Sequence, residues 1–402
     1  MNSLTLSLAY LRHKLLGTFL NLITFASGIA MIVALLSINA QLDNELTKNL
    51  EGIDLVVGGK GSPMQLILSS VLYLDIPTGN IPLEEAKKLE RHPMVKTAIP
   101  VALGDNYNGF RIVGTNDGYI SHYNGQLTEG KIFTQQMEVV LGSAIEAKYH
   151  HKLGDQIIGA HGLIDSDDLH TDFPYTVVGI LKPTGTVLDR LVLTPVESVW
   201  HVHEHPDEDD PEEVAYKKEH PGKELTALLL AYKTPIAAAS LPREINKSTS
   251  MQAASPAFEV ARLTSFIGVG ADTLRIFGWF LISLAGSGIF VALYNAMEER
   301  RYTLALMRSF GASPGKLFGL VTIESLVLAL SGTVLGILLG HIFVQFVAIQ
   351  LSETKHIPLT GMVFLPEEGW LLVASVVIGI SAALLPALRA YRIDIFKTLV
   401  QR

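Results

Sequence analysis

Thirteen histidines are present, and eight of them fall between positions 150 and 220. The densest run is His201-Val202-His203-Glu204-His205, followed by Asp207, Glu208, Asp209, Asp210, Glu212, Glu213 and His220. Neutral imidazoles and carboxylates suit zinc, copper or nickel, and zinc accepts a mixed nitrogen and oxygen set most readily. An extended segment 201–205 would alternate its three imidazoles onto one face, roughly 6.5–7 Å apart. This spacing makes His201, His203, His205 and His220 the candidate metal ligands. A second group, His161, Asp165, Asp167, Asp168 and His170, has similar chemistry. The same residues also suit a solvated acidic loop, because two prolines interrupt the run. Both readings stand at this point.

Other chemistry is harder to find. The chain has no cysteine, which excludes a disulfide framework, a thiolate zinc site and a cysteine nucleophile. No His-Glu-x-x-His helix is present, and no catalytic constellation emerges. Gly58-Gly59-Lys60-Gly61-Ser62 lacks the order of a phosphate-binding loop and reads as a flexible turn. The apolar stretch Met64–Leu74 after it reads as core, or as the lining of a cavity for an apolar ligand.

The elements that must carry these residues follow from hydropathy. Of 402 residues, 49% are hydrophobic and 17% charged, a balance that points to an integral membrane protein. Apolar runs of the roughly 17–25 residues needed to cross a bilayer cover about Leu16–Ile38, Ile276–Ala296, Leu317–Val347 and Trp370–Leu388. The first is longer than a signal-peptide core, so it reads as a retained span. Arg12 and Lys14 precede span one. Arg300, Arg301, Arg308 and Lys316 separate spans two and three, and Arg389, Arg392, Lys397 and Arg402 follow span four. The positive-inside rule then places both termini and the 297–316 loop in the cytoplasm. Residues 42–270 are expected outside. They hold 31 Asp and Glu against 19 Lys and Arg, which argues against a nucleic-acid-binding face.

Three parts result: residues 1–41 with span one, an extracytoplasmic domain at 42–270 carrying the His/acid insert near 201–220, and residues 271–402 with three spans. The external part reads as mixed α/β. Strands are expected at Thr97–Ala102, Phe110–Val113, Glu138–Leu141, Tyr175–Ile180 and Leu191–Thr194, and short helices at Leu83–Arg91 and Ser143–His150.

Within 299–313, Leu304, Met307 and Phe310 recur at helical spacing among Glu299, Arg300, Arg301 and Arg308. Gly311 supplies a stop and Ser313-Pro314 a restart. A short amphipathic helix at the membrane surface can dock in a partner's groove or simply rest on the membrane. In span three, Gly332, Gly336 and Gly340 form a small-residue face for close helix packing. Glu324 in the same span is expected near the headgroups or against an interior partner, and His341 near the outer end.

The segment from Glu299 through Met307-Arg308-Ser309-Phe310-Gly311-Ala312 to Glu324 and the glycine ladder resembles the coupling helix and third span of FtsX-like, MacB-type ABC transporter permeases. Pro386-Ala387-Leu388-Arg389-Ala390 with Ile395–Leu399 resembles their C-terminal signature. Glu138–Ser143, Lys152–Asp155 and Val177–Leu181 resemble their external domain. The His/acid insert departs from the usual pattern.

The resemblance implies a homodimer of four-span subunits in a bacterial inner membrane. Each would dock a separate cytoplasmic ATPase through Glu299, Arg300, Arg301, Leu304, Met307, Arg308, Phe310 and Gly311. It would transmit ATP-driven motion to the external domain, with an external binding protein or adaptor as a further partner. The chain itself would bind no nucleotide and catalyse no reaction, and the insert points to a zinc-linked transport system. The alternatives are lipoprotein, peptide or drug export, and a membrane-anchored regulator of an envelope enzyme.

Overall fold

The computed structural model describes residues 15–162, 169–203, 222–355 and 359–392. In chain order, helix α1 covers Leu15–Leu50, β1 Leu55–Gly59, α2 Pro63–Ser70, β2 Ile81–Pro82 and α3 Leu83–Glu90. There follow β3 (Val95–Tyr107), β4 (Phe110–Thr115), α4 (Asp117–His122), β5 (Leu127–Gly130), β6 (Glu138–Leu141) and α5 (Ser143–Tyr149). Next come β7 (Gln156–Ile157), β8 (Ala160–His161), β9 (Tyr175–Leu181), β10 (Val192–Pro195) and α6 (Val196–Val202). The chain continues through β11 (Glu224–Leu225), β12 (Ala227–Tyr232), α7 (Ile236–Ser248) and β13 (Met251–Ala254). It closes with α8 (Pro256–Glu299), α9 (Arg301–Ser309), α10 (Pro314–Lys355) and α11 (Glu368–Tyr391). Two compact units result: Asp43–Ser265, and the chain up to Leu42 together with everything from Phe266 onward.

The second of these is a four-helix membrane unit. α1, α8, α10 and α11 are each long and apolar enough to cross a bilayer. The helices outrun the apolar runs that mark them. α1 has 36 residues and α8 has 44, roughly 54 and 66 Å at 1.5 Å per residue, against about 30 Å of hydrocarbon. Hydropathy reports where lipid ends, not where backbone hydrogen bonding ends, so polar turns such as Asp43–Lys48 continue the same helix. Close approach depends on small residues. A Cβ on Gly28 would meet Ile282 at 2.8 Å, and one on Gly278 would meet Ile32 at 2.9 Å, so α1 and α8 cross almost backbone to backbone.

The other unit is mixed α/β. Its sheet runs β13-β1-β12-β3-β4-β10-β6-β9-β5, with β8 added on β3 and β7 on β9. β10 pairs parallel with β4 and β6 parallel with β9, while the other ladders are antiparallel. Clusters around Val56, Leu66, Val113 and Leu229 on one side, and Leu55, Leu228 and Leu241 on another, fill the core.

One expectation changes here and a neighbouring one holds. Gly58 and Gly59 are not a flexible turn: both are buried in β1, Gly58 paired with β12 and β13 and Gly59 with β13. Only Lys60-Gly61-Ser62 turns, and the Ser62 hydroxyl accepts from Gln65 N to cap α2. Leu66, Ile67 and Val71 from the following apolar stretch are core.

Candidate metal centre and coupling helix

Strand β3 is irregular where the site forms. Its pairing with β4 shifts register between Leu103 and Asn106, so Gly104 and Asp105 sit in a bulge. The disruption leaves both Asp105 and Asn106 buried, against the alternation of a regular strand. β8 lies antiparallel on this stretch with His161 directly opposite Asp105, the relationship that brings two side chains together on one face. Asn106 holds the β8 side in place through Nδ2 to the Gly162 carbonyl at 3.1 Å. His170 reaches the same place because its backbone N–H donates to Gly159 O at 2.9 Å.

The fourth residue arrives on a helix end. His203 follows the last turn of α6 and its N–H donates back to Val199 O. Val196 and Val199, seven and four residues before it and so on the same face of the helix, are buried against the sheet, which turns the ring inward. The space it occupies exists only because residue 104 is glycine: a Cβ there would stand 2.5 Å from His203 Nε2.

Asp105, His161, His170 and His203 thereby each bring one ligand atom within 4.8 Å of all the others. Nε2 of His170 and of His203 lie 3.2 and 3.1 Å from Asp105 Oδ1. Donors on a tetrahedral zinc ion lie roughly 3.3 Å apart, from bond lengths of about 2.0–2.1 Å. The three rings meet edge to face with centroids 5.3 to 5.5 Å apart. Burial by itself would raise the Asp105 carboxyl, but hydrogen bonds and positive charge from His170 and His203 overcome it and hold the group at about 2. Oδ2 of Asp105 is buried with no hydrogen-bond partner among the described residues, which is costly unless something electropositive meets it. Beneath the site, burial and the Asp105 charge both push the Tyr175 hydroxyl upward, so it stays neutral. Three imidazoles around one ionised carboxylate fit a borderline divalent cation of the zinc, nickel or copper class.

The ligand set differs from the one read along the chain. Residues 201 and 202 are helical, not extended, so His201 and His203 do not share a face. His201 instead packs its ring on Phe173 at 5.3 Å. His205 and His220, with Asp165, Asp167 and Asp168, lie outside the described residues. His161 and His170 of the second group join His203 of the first. Asp105 was missed: nothing in Leu103-Gly104-Asp105-Asn106 marks it as a ligand except a Gly-Asp step interrupting an apolar strand.

In the membrane unit, α8 stops at Glu299, Arg300 forms the junction, and α9 ends with Phe310 and Gly311, the latter at φ +93°. α10 restarts with Ser313 Oγ accepting from Lys316 N. Leu304 and Ala305 are buried, whereas Phe310 is 83% exposed. Leu304 therefore anchors α9 to its own unit, while Arg301, Tyr302, Leu306 and Phe310 are exposed. Arg300 points inward, Nη1 lying 3.2 Å from Glu324 Oε2, so Glu324 has an interior partner. Cβ atoms on Gly332, Gly336 and Gly340 would meet Phe25, Ile29 and Val33 at 3.0, 2.6 and 2.9 Å: the glycine face receives α1.

Residues 18–247 match the family model of the MacB-like periplasmic core domain, and residues 275–395 that of the FtsX-like permease C-terminal region. No curated protein matches the chain. Among solved structures, the periplasmic region of MacB from Actinobacillus actinomycetemcomitans is similar at 12% identity and a TM-score of 0.35, over 54% of this chain and 97% of that one. The extracellular domain of the noncanonic ABC-type transporter YknZ from Gram-positive bacteria is similar at 16% identity and a TM-score of 0.30, over 50% and 98%. With one family model spanning more than half of the chain and the other most of the remainder, this four-span protein with a mixed α/β domain between its first and second spans belongs to the FtsX/MacB-type permeases of ABC transporters.

Proposed function

We propose that this permease is the membrane subunit of a transition-metal-linked, most specifically zinc-linked, ABC system. A separate cytoplasmic ATPase docks on α9, and its power stroke moves the α/β domain, which lies outside the membrane. Both chain termini are then cytoplasmic, the chain works as a homodimer, and an external binding protein or adaptor delivers or receives cargo. The observation that carries the metal reading is the convergence of Asp105, His161, His170 and His203 from four chain segments on one point. A metal there would cross-link β3, β8, the segment before β9 and the end of α6. Asp105 would supply the anionic ligand, the three imidazoles would supply neutral nitrogen, and partial exposure of His170 and His203 would leave the ion exchangeable.

The test is zinc calorimetry on the full-length protein in nanodiscs. One site lost in H161A/H203A but kept in H201A is the expected result. Equal zinc binding by all three proteins would sink the metal reading. The ATPase reading is tested separately, by co-purification of the partner ATPase and its stimulation by the permease.

A second reading, export of a peptide or lipid-linked cargo, draws on a cleft of about 590 Å³ in the α/β unit. Lys48, His122, Gln126, Lys182 and Thr184 are among its lining residues, and its size suits a small ligand. Cargo-stimulated ATPase activity that persists in H161A/H203A would favour it.

A further inference from the structure

The membrane unit holds a second histidine–carboxylate pair that the metal reading does not use. His341 lies on α10, 27 residues beyond Pro314 and so about 40 Å along the helix from its α9 end. Glu368 is the first residue of α11. Each is only 6% exposed. Nδ1 of His341 is 2.9 Å from the Gly361 carbonyl oxygen, and Nε2 is 3.0 Å from Glu368 Oε2. The other carboxylate oxygen, Oε1, accepts from Leu365 N at 3.0 Å.

A count of protons follows from these contacts. A neutral imidazole carries one N–H and one lone pair, and a carbonyl oxygen can only accept. If Nδ1–H serves Gly361, the Nε2 lone pair faces a carboxylate; if Nε2–H serves Glu368, the Nδ1 lone pair faces the carbonyl. Either arrangement sets two acceptors 3 Å apart where water does not compensate. Both contacts become hydrogen bonds only when the pair holds one more proton. That proton makes either an imidazolium beside a carboxylate or a carboxylic acid donating to Nε2.

We infer that His341 and Glu368 form a buried proton-binding site that clasps three membrane helices at the end opposite α9. Gly361, which receives Nδ1–H, donates its own N–H to Gln345 of α10 at 2.9 Å. Thr360 exchanges two 2.9 Å bonds with the side-chain amide of Gln41 on α1. The connection into α11 is thus tied to α1 and α10 at once. Gly361 has no room for a side chain, because its Cβ would run into the His341 carbonyl and Gln345, so the segment cannot drift while the clasp is shut. The Phe364 ring covers His341 with centroids 4.1 Å apart. Among the described residues, the pair's polar contacts are the Gly361 carbonyl, the Leu365 N–H and each other, and the amides of Gln41 and Gln345 hold the adjoining Thr360 and Gly361. The nearest charge along the chain is Glu367, which is exposed. The shared proton is the positive charge that Glu368 has available, and losing it opens the Nε2 contact first.

The clasp has both of its hydrogen bonds with the proton and only one without it, so losing the proton at high pH removes a contact and with it stability. Glu368→Gln is the informative variant: its amide oxygen takes the Leu365 N–H and its NH₂ donates to Nε2, which replaces the proton with a fixed hydrogen. In nanodiscs, the full-length wild type should melt several degrees lower at about pH 10 than at about pH 6. E368Q should show much less of that fall. Parallel pH profiles in the two proteins would overturn the inference. Protonation is read directly by ¹⁵N NMR of ring-labelled histidine, assigned with His341→Gln, together with the infrared carboxylic-acid band. An imidazolium or a protonated carboxyl at neutral pH is expected. A neutral imidazole beside an ionised carboxylate would defeat the proposal even if E368Q failed to fold.

Discussion

Gly104 and His203 are matched parts: the ring nitrogen of His203 stands 2.5 Å from where a Cβ on residue 104 would be. The bulge in β3 both presents Asp105 and leaves the space that lets a helix end bring in an imidazole. Gly104→Val should therefore displace His203 without replacing any of the four clustered residues. Zinc affinity should fall by about 10–100-fold, the usual effect of disturbing a group that orients a ligand, with the far-ultraviolet circular dichroism retained. Unchanged affinity in a folded G104V protein would exclude His203 from the site.

Metal binding should weaken in acid, and for a specific reason. Asp105 is held at about 2 by His170 and His203 against the opposing effect of burial, so it stays ionised through the working range. The imidazoles must give up protons to bind a cation. Calorimetry from about pH 7.5 to about pH 5 should show affinity falling steeply, with more than one proton released per ion near the lower limit. Proton release near zero across that range would mean that carboxylates elsewhere hold the ion.

The Arg300–Glu324 pair ties the α8–α9 junction to α10 with side-chain exposures of 17% and 6%. Glu324→Ala removes the carboxylate from a buried guanidinium and should cost about 3–5 kcal/mol of stability. The exchanged pair R300E/E324R should recover part of that loss. The recovery is read in thermal midpoints and in stimulation of the partner ATPase. An exchange no better than E324A alone would reduce the pair to two independent packing residues.

Phe310 and Leu304 should separate docking from folding, although both lie on the apolar stripe of α9. Phe310→Asp changes a residue that is 83% exposed and should abolish ATPase co-purification while leaving the midpoint within about 1 °C, as for ordinary surface changes. Leu304→Ala changes a buried residue and should cost about 2–5 kcal/mol. If F310D still captures the ATPase, the docking surface lies elsewhere.

Much of the architecture is legible along the chain because the physics that sets it is local. A span is a run of apolar side chains, and Leu16–Ile38 announces α1 without reference to any other residue. Gly311 and Ser313-Pro314 break α9 from α10 by backbone preference alone. Glu138–Leu141 is a strand with the bounds expected of it, since a short apolar run between turn residues has few other uses. The ends of α1 and α8 were not legible, because polar residues such as Asp43 and Lys48 are tolerated equally by a helix and a loop.

The candidate site was legible only as composition. Histidine density marked the right regions, but density along a chain is not proximity in space: His201 and His203, two apart, separate onto a ring contact with Phe173 and the cluster with Asp105, His161 and His170. What the sequence determined by itself is the membrane class, the four spans, the mixed α/β insert and the stock of imidazoles, all properties of neighbours in the chain. What only the tertiary structure decided is which donors meet. Asp105 joins His161 through strand register and His203 through a missing Cβ at Gly104. Likewise Arg300 reaches Glu324, and His341 reaches Glu368. Each of these pairings depends on where a distant backbone is placed, and that placement is set by the burial of whole faces rather than by the residues that do the chemistry.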